Sequence, residues 1–384
     1  MSSSRLGIYA LLASVYSAWF TIGVYALYLQ LYAYYILGAS NLLVGLLATI
    51  YFSVNAPISI ASGYLMDRFG KARELFIGAL LILALSIFIT PLSRYPNYLL
   101  FIRALQGLSI AVIVPLSNLI GARLLGVGRG VGIVNMVSSI GFLSAGLLGG
   151  FLSGYLHYTG LFNVSGYIVL ASLMLVIVSF PNIRASGERI KFSYISKLCR
   201  GIRVIYTAYF IRHLAAAGVW SLFSLFIFSL GGDNVFVGFA HAMNTLTQVI
   251  LFKKIGEYSE GRGLTSFKYG ILLTSIVFLG YYIAFNPYIV LPFQVLLGCA
   301  WVLLWSGANV YIIENTPKEF QGTALGFLNT VGSISWIFGS LLNGYISDIF
   351  NSYKVYIFIA FLMTLLTYLI LELIIRLKPG LIYC

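Results

Sequence analysis

Twelve long apolar runs separated by short polar connections limit what this chain can fold into more than any other feature. About 20 consecutive apolar residues span roughly 30 Å of hydrocarbon as a helix. Runs such as Leu75–Leu92, Val164–Phe180 and Val355–Ile375 approach or reach that length. The spans are expected at residues 8–36, 42–66, 75–92, 97–122, 130–156, 164–180, 204–230, 234–252, 268–285, 288–313, 322–347 and 353–375. They are continuous and lack the ten-residue alternation of a membrane barrel, so helices are expected rather than strands. Hydrophobic residues make up 60% of the chain and acidic ones number ten, too little polarity to cover a water-facing surface.

The positive charges set an orientation. Of 23 Lys and Arg, only Arg94 and Lys354 lie in connections on the side opposite the N-terminus, and Arg103 and Arg212 lie inside spans. The other 19 share the side of the N-terminus, which the positive-inside rule makes cytoplasmic. Both termini are therefore expected in the cytoplasm of a multi-pass cell-membrane protein. The net charge of +13 is thus a topology signal, with some attraction to anionic lipid. No aromatic-basic platform accompanies it, which argues against a nucleic-acid partner. Cys199, Cys299 and Cys384 are scattered and suit neither a metal site nor a disulfide framework. No small-residue cleavage site follows a short apolar region near the start, so the first helix is expected to be retained.

The chain repeats itself. "GIVNMVSSIGFLSAGLLGGFLSGYL" from Gly132 matches "GFLNTVGSISWIFGSLLNGYISDIF" from Gly326 at an offset of 194. Gly63, Asp67 and Gly70 match Gly256, Glu260 and Gly263 at an offset of 193. Two matches near half the chain length imply a duplication of six spans. The expected units are residues 1–181 and 204–384, joined by a basic cytoplasmic linker at 182–203. Parallel repeats around a midplane cavity are a transporter architecture.

Charges are scarce, yet "GYLMDRFGKARE" packs Asp67, Arg68, Lys71, Arg73 and Glu74 into eight positions between spans two and three. The glycines at 63 and 70 permit a tight reversal, and the charges stay at the interface because lipid excludes them. Pairs formed here in one arrangement of the halves and broken in another would make a conformational latch. The stretch Gly63, Leu65, Asp67, Arg68, Gly70, Lys71, with Arg73 beyond, resembles the signature of the major facilitator superfamily at this position. Arg103, Gln106 and Gly107 resemble its helix-four motif, and Gly256, Glu260 and Gly263 its weaker second-half copy, with Gly261 where an arginine would follow the acid. The resemblance implies an all-α integral membrane fold with twelve helices in two pseudo-symmetric six-helix bundles. It also implies alternating access and a latch role for Asp67 and Arg68 near the start of helix eleven. On helix five, Gly141, Ala145, Gly146, Gly149 and Gly150 meet the antiporter pattern imperfectly, because Ala145 and Gly146 replace its glycine and proline. The direction of transport stays open on this pattern. Gly146, Gly150 and Gly154 recur every four residues and give a smooth face for helix packing.

Ionisable groups inside spans point to function because each is costly in hydrocarbon. Arg103 either binds a substrate or coupling ion or ties helices together, with Gln30 a candidate partner. Arg212 either snorkels to the interface or faces the cavity as an anion site, and its neighbour His213 reads as a packing group. His241, Asn244 and Gln248 share one helix face, suited to proton exchange or to helix–helix hydrogen bonds. Trp301, Trp305 and Asn309 form an i, i+4, i+8 stripe that serves either core packing or a flat organic ligand. Trp220, Tyr25 and Asn55 are further cavity candidates. The arginines favour an anionic solute, whereas the aromatic stripe favours a hydrophobic one.

These features predict a secondary active transporter moving a small organic solute by alternating access, as a drug or metabolite exporter coupled to an ion gradient such as H+. An uptake carrier for an organic anion, or a transporter-like sensor that moves nothing, are the alternatives. Three isolated histidines and no acidic pair argue against an enzyme. No metal and no cofactor are expected, and the chain is expected to be a monomer whose partners are its solute and lipid.

Overall fold

A computed structural model describes residues 2–69, 72–125, 127–179, 200–316 and 321–377, and among these no strand occurs. Helices follow from the apolar runs, since a helix satisfies every backbone group within one segment. They are α1 (Ser2–Leu31), α2 (Asn41–Phe69), α3 (Ala72–Ile89), α4 (Tyr98–Leu125), α5 (127–156) and α6 (158–179). After the linker come α7 (Arg200–Ser221, continued as Phe223–Ser229), α8 (Asn234–Ser259), α9 (Gly263–Ile283), α10 (Val290–Glu314), α11 (Gln321–Phe350) and α12 (Tyr353–Leu377).

Three breaks shape the count. The run 127–179 is helical throughout except at His157, whose φ of 54° and ψ of 176° divide it into two spans. The α5–α6 connection is thus a single residue, where hydropathy suggested a loop of seven between 156 and 164, because a connection satisfied by one reversed residue leaves no polar stretch to read. At Leu222, α7 bends by 54°. A π-helical turn at Tyr32–Ile36 ends the first span. Several helices also outrun the expected spans: α8 reaches Ser259 rather than residue 252, and α9 begins at Gly263 rather than 268. Hydropathy ends where lipid contact ends, but a helix continues wherever its backbone stays paired. Most of the linker, 180–199, lies outside the described residues.

The chain forms two compact units. The first is Met1–Glu188 with Asp233–Ala242, and the second Arg189–Gly232 with Met243–Cys384. In the first, α1 crosses α5 where a Cβ on Gly23 would lie 2.5 Å from that of Ala145. In the second, α7 crosses α11 at Gly218 and Gly339. Positions 145 and 339 are 194 residues apart, the offset of the sequence repeat, so the duplication is visible as one helix crossing built twice. The Asn343 amide donates to Gly218 O at 2.6 Å across the second crossing, and Tyr356 Oη of α12 donates to Leu214 O of α7 beside it at 3.1 Å. Close α9–α10 contact runs through Gly263, Gly270 and Gly307, each facing backbone of the other helix. Beside it lies an apolar core that includes Ile205, Phe267, Ile271, Leu304, Ile312 and Leu328.

Candidate functional site

Each unit carries one arginine inside a span, and the two are held differently. In the first unit, Gly107 decides the geometry. A Cβ there would sit 2.5 Å from Tyr51 O, so only glycine lets α2 lie this close to α4. The approach places the Tyr51 ring beneath Arg103, with the guanidinium carbon 4.2 Å from the ring centroid. Arg103 Nη1 donates to Gln106 Oε1 at 2.8 Å and Nε to Leu47 O at 3.3 Å. Arginine, glutamine and glycine of the helix-four motif are therefore one device, in which the glycine admits the ring and the amide holds the charge. The amide of Gln30, the candidate partner of Arg103, donates to Ala26 O on its own helix at 2.5 Å. Gln106 stands three residues from Arg103 and meets it first. Nearby, Asn55 donates to Gly107 O at 3.2 Å. Tyr25 is buried, packs on Phe162, and donates to Thr90 Oγ1 at 2.7 Å, because that hydroxyl spends its own proton on Ser86 O.

In the second unit, Arg212 is 2% exposed. It does not snorkel, because Thr274 on α9 holds it: Nε and Nη2 both donate to Thr274 Oγ1, at 3.2 and 3.0 Å. The hydroxyl can accept both because it donates to Gly270 O at 2.7 Å, leaving its lone pairs for the guanidinium. Arg212 Nη1 lies 3.4 Å from His213 Nδ1. A guanidinium only donates, so Nδ1 accepts and the ring proton sits on Nε2. Around this pair stand aromatic faces. His213 stacks on Tyr209 at 4.9 Å and 12°, and lies 5.7 Å from Trp301 and 6.3 Å from Trp336. Trp301 and Trp305 stack at 5.6 Å and 15°, and the Arg212 guanidinium lies 5.6 Å from the Trp301 centroid. All three tryptophans are only partly buried. The arginine and the aromatic stripe, which point to different solutes when read separately in the sequence, are thus parts of one cluster. Asn309 stands apart from it, donating to Trp305 O on its own helix.

The other candidates are spread out. Trp220 stacks on Phe223 at 5.0 Å. His241, 1% exposed, presses against Phe142 at 4.6 Å and beside Gly146. Asn244 donates to Gln294 O at 3.1 Å and accepts from Gln248 at 2.6 Å, joining α8 to α10. Gly146 and Gly150 face α8 backbone at Gly238 and Asn234, while Gly154 is exposed, and a methyl group placed on it would meet nothing within 4 Å. Gly70 and Lys71 lie outside the described residues, as do the side chains of Asp67 and Arg68 and the surroundings of Gly63. Arg73 donates to Ile177 O at 2.8 Å. In the second-half copy, Gly263 packs on Tyr311, Gly256 has open space around it, and Glu260 is exposed. That loop is instead held by Glu314, which accepts from Gly261 N at 2.8 Å, with Gly261 at a φ of +64°.

Sequence reasoning missed Tyr51, Tyr209, Thr274, Trp336 and Glu314. Thr274 lies 62 residues from Arg212 and carries no periodic signal. Trp336 was within reach, since the repeat aligns it with Phe142, and each ring meets a histidine edge-on, at 74° and 71°.

The comparisons agree with this architecture. The family model described as Major Facilitator Superfamily matches residues 10–340. Multidrug resistance protein 1 of Bacillus subtilis (strain 168) is 24% identical over 339 residues, covering 83% of this chain and 84% of that protein. Multidrug resistance protein 2 of the same organism is 25% identical over 79% of each chain. Among solved structures, the nucleoside transporter NupG aligns with a TM-score of 0.81 at 12% identity, covering 98% of this chain and 100% of that one. A bacterial homolog of the human lysosomal transporter Spinster, in an inward-facing and occupied conformation, aligns with a TM-score of 0.80 at 13% identity, covering 98% and 97%. Two six-helix units, the helix-four motif and a family match across most of the chain lead to one assignment: this is a multi-pass membrane transporter, not an enzyme, and it belongs to the major facilitator superfamily.

Proposed function

We propose that this chain is a secondary active transporter of a small organic solute, working by alternating access and exporting a drug or metabolite from the cell. The observation that carries the reading is a guanidinium inside a span of each unit, buried at Arg212 and half-buried at Arg103, with polar and aromatic surroundings. Such groups are expensive in hydrocarbon and mark solute or ion pathways. The names of the multidrug resistance relatives support export. The charge distribution supports a cell-membrane protein with both termini cytoplasmic; we take it to act as a monomer. Asp67, Arg68 and Lys71, with Arg73, form the latch in this reading, and Gly256, Glu260 and Gly263 its second-half counterpart. Coupling runs to an ion gradient such as H+, with His241 on α8 the candidate proton-exchange group.

Uptake of an organic anion is the second reading, favoured by the cationic character of both intramembrane sites. The test is solute counterflow in proteoliposomes, with and without an imposed pH gradient, in both orientations. Gradient-driven movement out of the compartment that exposes the linker supports export. Movement only in the opposite direction selects uptake, and no counterflow of any solute class sinks both.

A further inference from the structure

We propose that the cluster around Arg212 binds a planar aromatic monocarboxylate, with the carboxylate on the guanidinium and the ring against Trp301 and Trp305. Binding itself stands apart from the transporter reading, and only the subsequent movement of this solute across the membrane rests on it.

The charge argument begins with a count of donors. A guanidinium has five N–H groups. Two go to Thr274 and one to His213, which leaves one on each terminal nitrogen. Two N–H groups on adjacent nitrogens match the two oxygens of a carboxylate. No protein carboxylate answers them: among the described residues the ion pairs are Lys268–Glu372 and Arg376–Glu372, and neither involves Arg212. A buried cation without a counter-anion is costly, and a bound anion removes that cost. The supporting contacts are also all acceptors. Thr274 donates to Gly270 O and so offers Arg212 only lone pairs, and His213 presents Nδ1. The surroundings orient the guanidinium without supplying negative charge.

The shape argument comes from the rings. Trp301 and Trp305 lie nearly parallel, at 15°, and are partly exposed, so they present a flat surface beside the charge. Aromatic faces of this kind favour flat ligands over branched aliphatic ones. Gly332 of α11 packs on the rim of this cluster, where a Cβ would make ordinary contact with Tyr209 and His213 at 3.4–3.8 Å. An aromatic cation, the usual guest of tryptophan faces, is excluded because Arg212 already lies over Trp301 and would repel it.

The test is equilibrium binding of radiolabelled 1-naphthoate to the purified full-length protein, in competition with 1-naphthamide and 1-naphthylmethylammonium. Naphthoate is expected to bind saturably, and neither the neutral amide nor the cation to displace it at about tenfold excess. Arg212→Gln is expected to weaken binding at least about tenfold, and Thr274→Val, which keeps the charge but frees it to swing, by about three- to tenfold. Should Arg212→Gln fail to elute as a folded monodisperse species, Thr274→Val and Trp301→Ala decide the matter. Displacement by the cation as strong as by naphthoate, or unchanged affinity in the folded variants, overturns the proposal. Counterflow of naphthoate in proteoliposomes separates the two levels. Arg212-dependent binding without counterflow keeps the site and overturns transport of this solute, whereas counterflow indifferent to Arg212 keeps transport and overturns the site.

Discussion

Arg103 and Arg212 are both guanidiniums inside membrane helices, yet one is fastened and the other is poised. Arg103 lies 4.2 Å from the face of Tyr51 and is tied to an amide oxygen and a backbone carbonyl, all on α2 and α4. Arg212 has a hydroxyl and an imidazole as partners and stands farther from its ring, among tryptophans that are partly open. Cost in hydrocarbon alone therefore does not identify a ligand site. The surroundings do, because Arg103 sits against a ring face and two oxygens of α2 and α4, whereas Arg212 stands beside two nearly parallel, partly exposed tryptophans that a flat ligand can cover.

The strongest way to break this contrast is at Gly107. A leucine there drives into the Tyr51 carbonyl, which as backbone cannot swing away, and about 3 kcal/mol of stability is expected to be lost. Thermal unfolding of the solubilised protein reads this, and a Gly107→Leu variant as stable as the parent would remove the basis for the fastened arginine. The next effect compares the arginines directly. Arg103→Ala leaves Gln106 Oε1 and Leu47 O without their donor and should cost about 1–3 kcal/mol. Arg212→Gln removes a buried charge lacking a counter-anion and should leave stability unchanged or raise it by about 1 kcal/mol. Equal losses at the two positions would erase the distinction. A smaller effect is expected at Glu372, which holds both Lys268 and Arg376. Glu372→Gln should cost about 1 kcal/mol at most, more at low salt than at high, since both ion pairs are partly exposed. The smallest is Gly154→Ala, which meets no neighbour and should gain about 0.5–1 kcal/mol from helix propensity alone.

How much of this was legible in the sequence depended on the range of the forces involved. Burial in lipid acts on whole segments, so hydropathy locates nearly every helix, and the repeat of glycines at an offset of 194 locates the duplication. The exceptions are local. A single reversed residue at His157 replaces an expected loop, since backbone dihedrals leave little trace in composition. The site was legible as types of residue but not as a constellation. Arg212 and Trp301 were each visible as unusual groups in apolar helices, but their meeting is made by α9, whose contribution is one threonine among many. Polarity inside a span made Gln30 a candidate partner of Arg103 but gave no sign of the contact with Gln106, one helical turn away. The repeat located the copied loop at Gly256, Glu260 and Gly263, but not the contact of Gly261 N with Glu314 at the end of α10, a pairing 53 residues apart that no local pattern announces.

The doubled crossing, Gly23 on Ala145 and Gly218 on Gly339, bears on how such a molecule comes to specialise. A gene that copies itself inherits two identical frames, and mutation is free to work on one while the other keeps the shape. Near the crossing, Phe142 remains a plug wedged beside His241, whereas its counterpart Trp336 has become part of the wall around His213. The site proposed around Arg212 would vest selectivity in the second half, so swapping that half alone between relatives should carry the taste for solute with it.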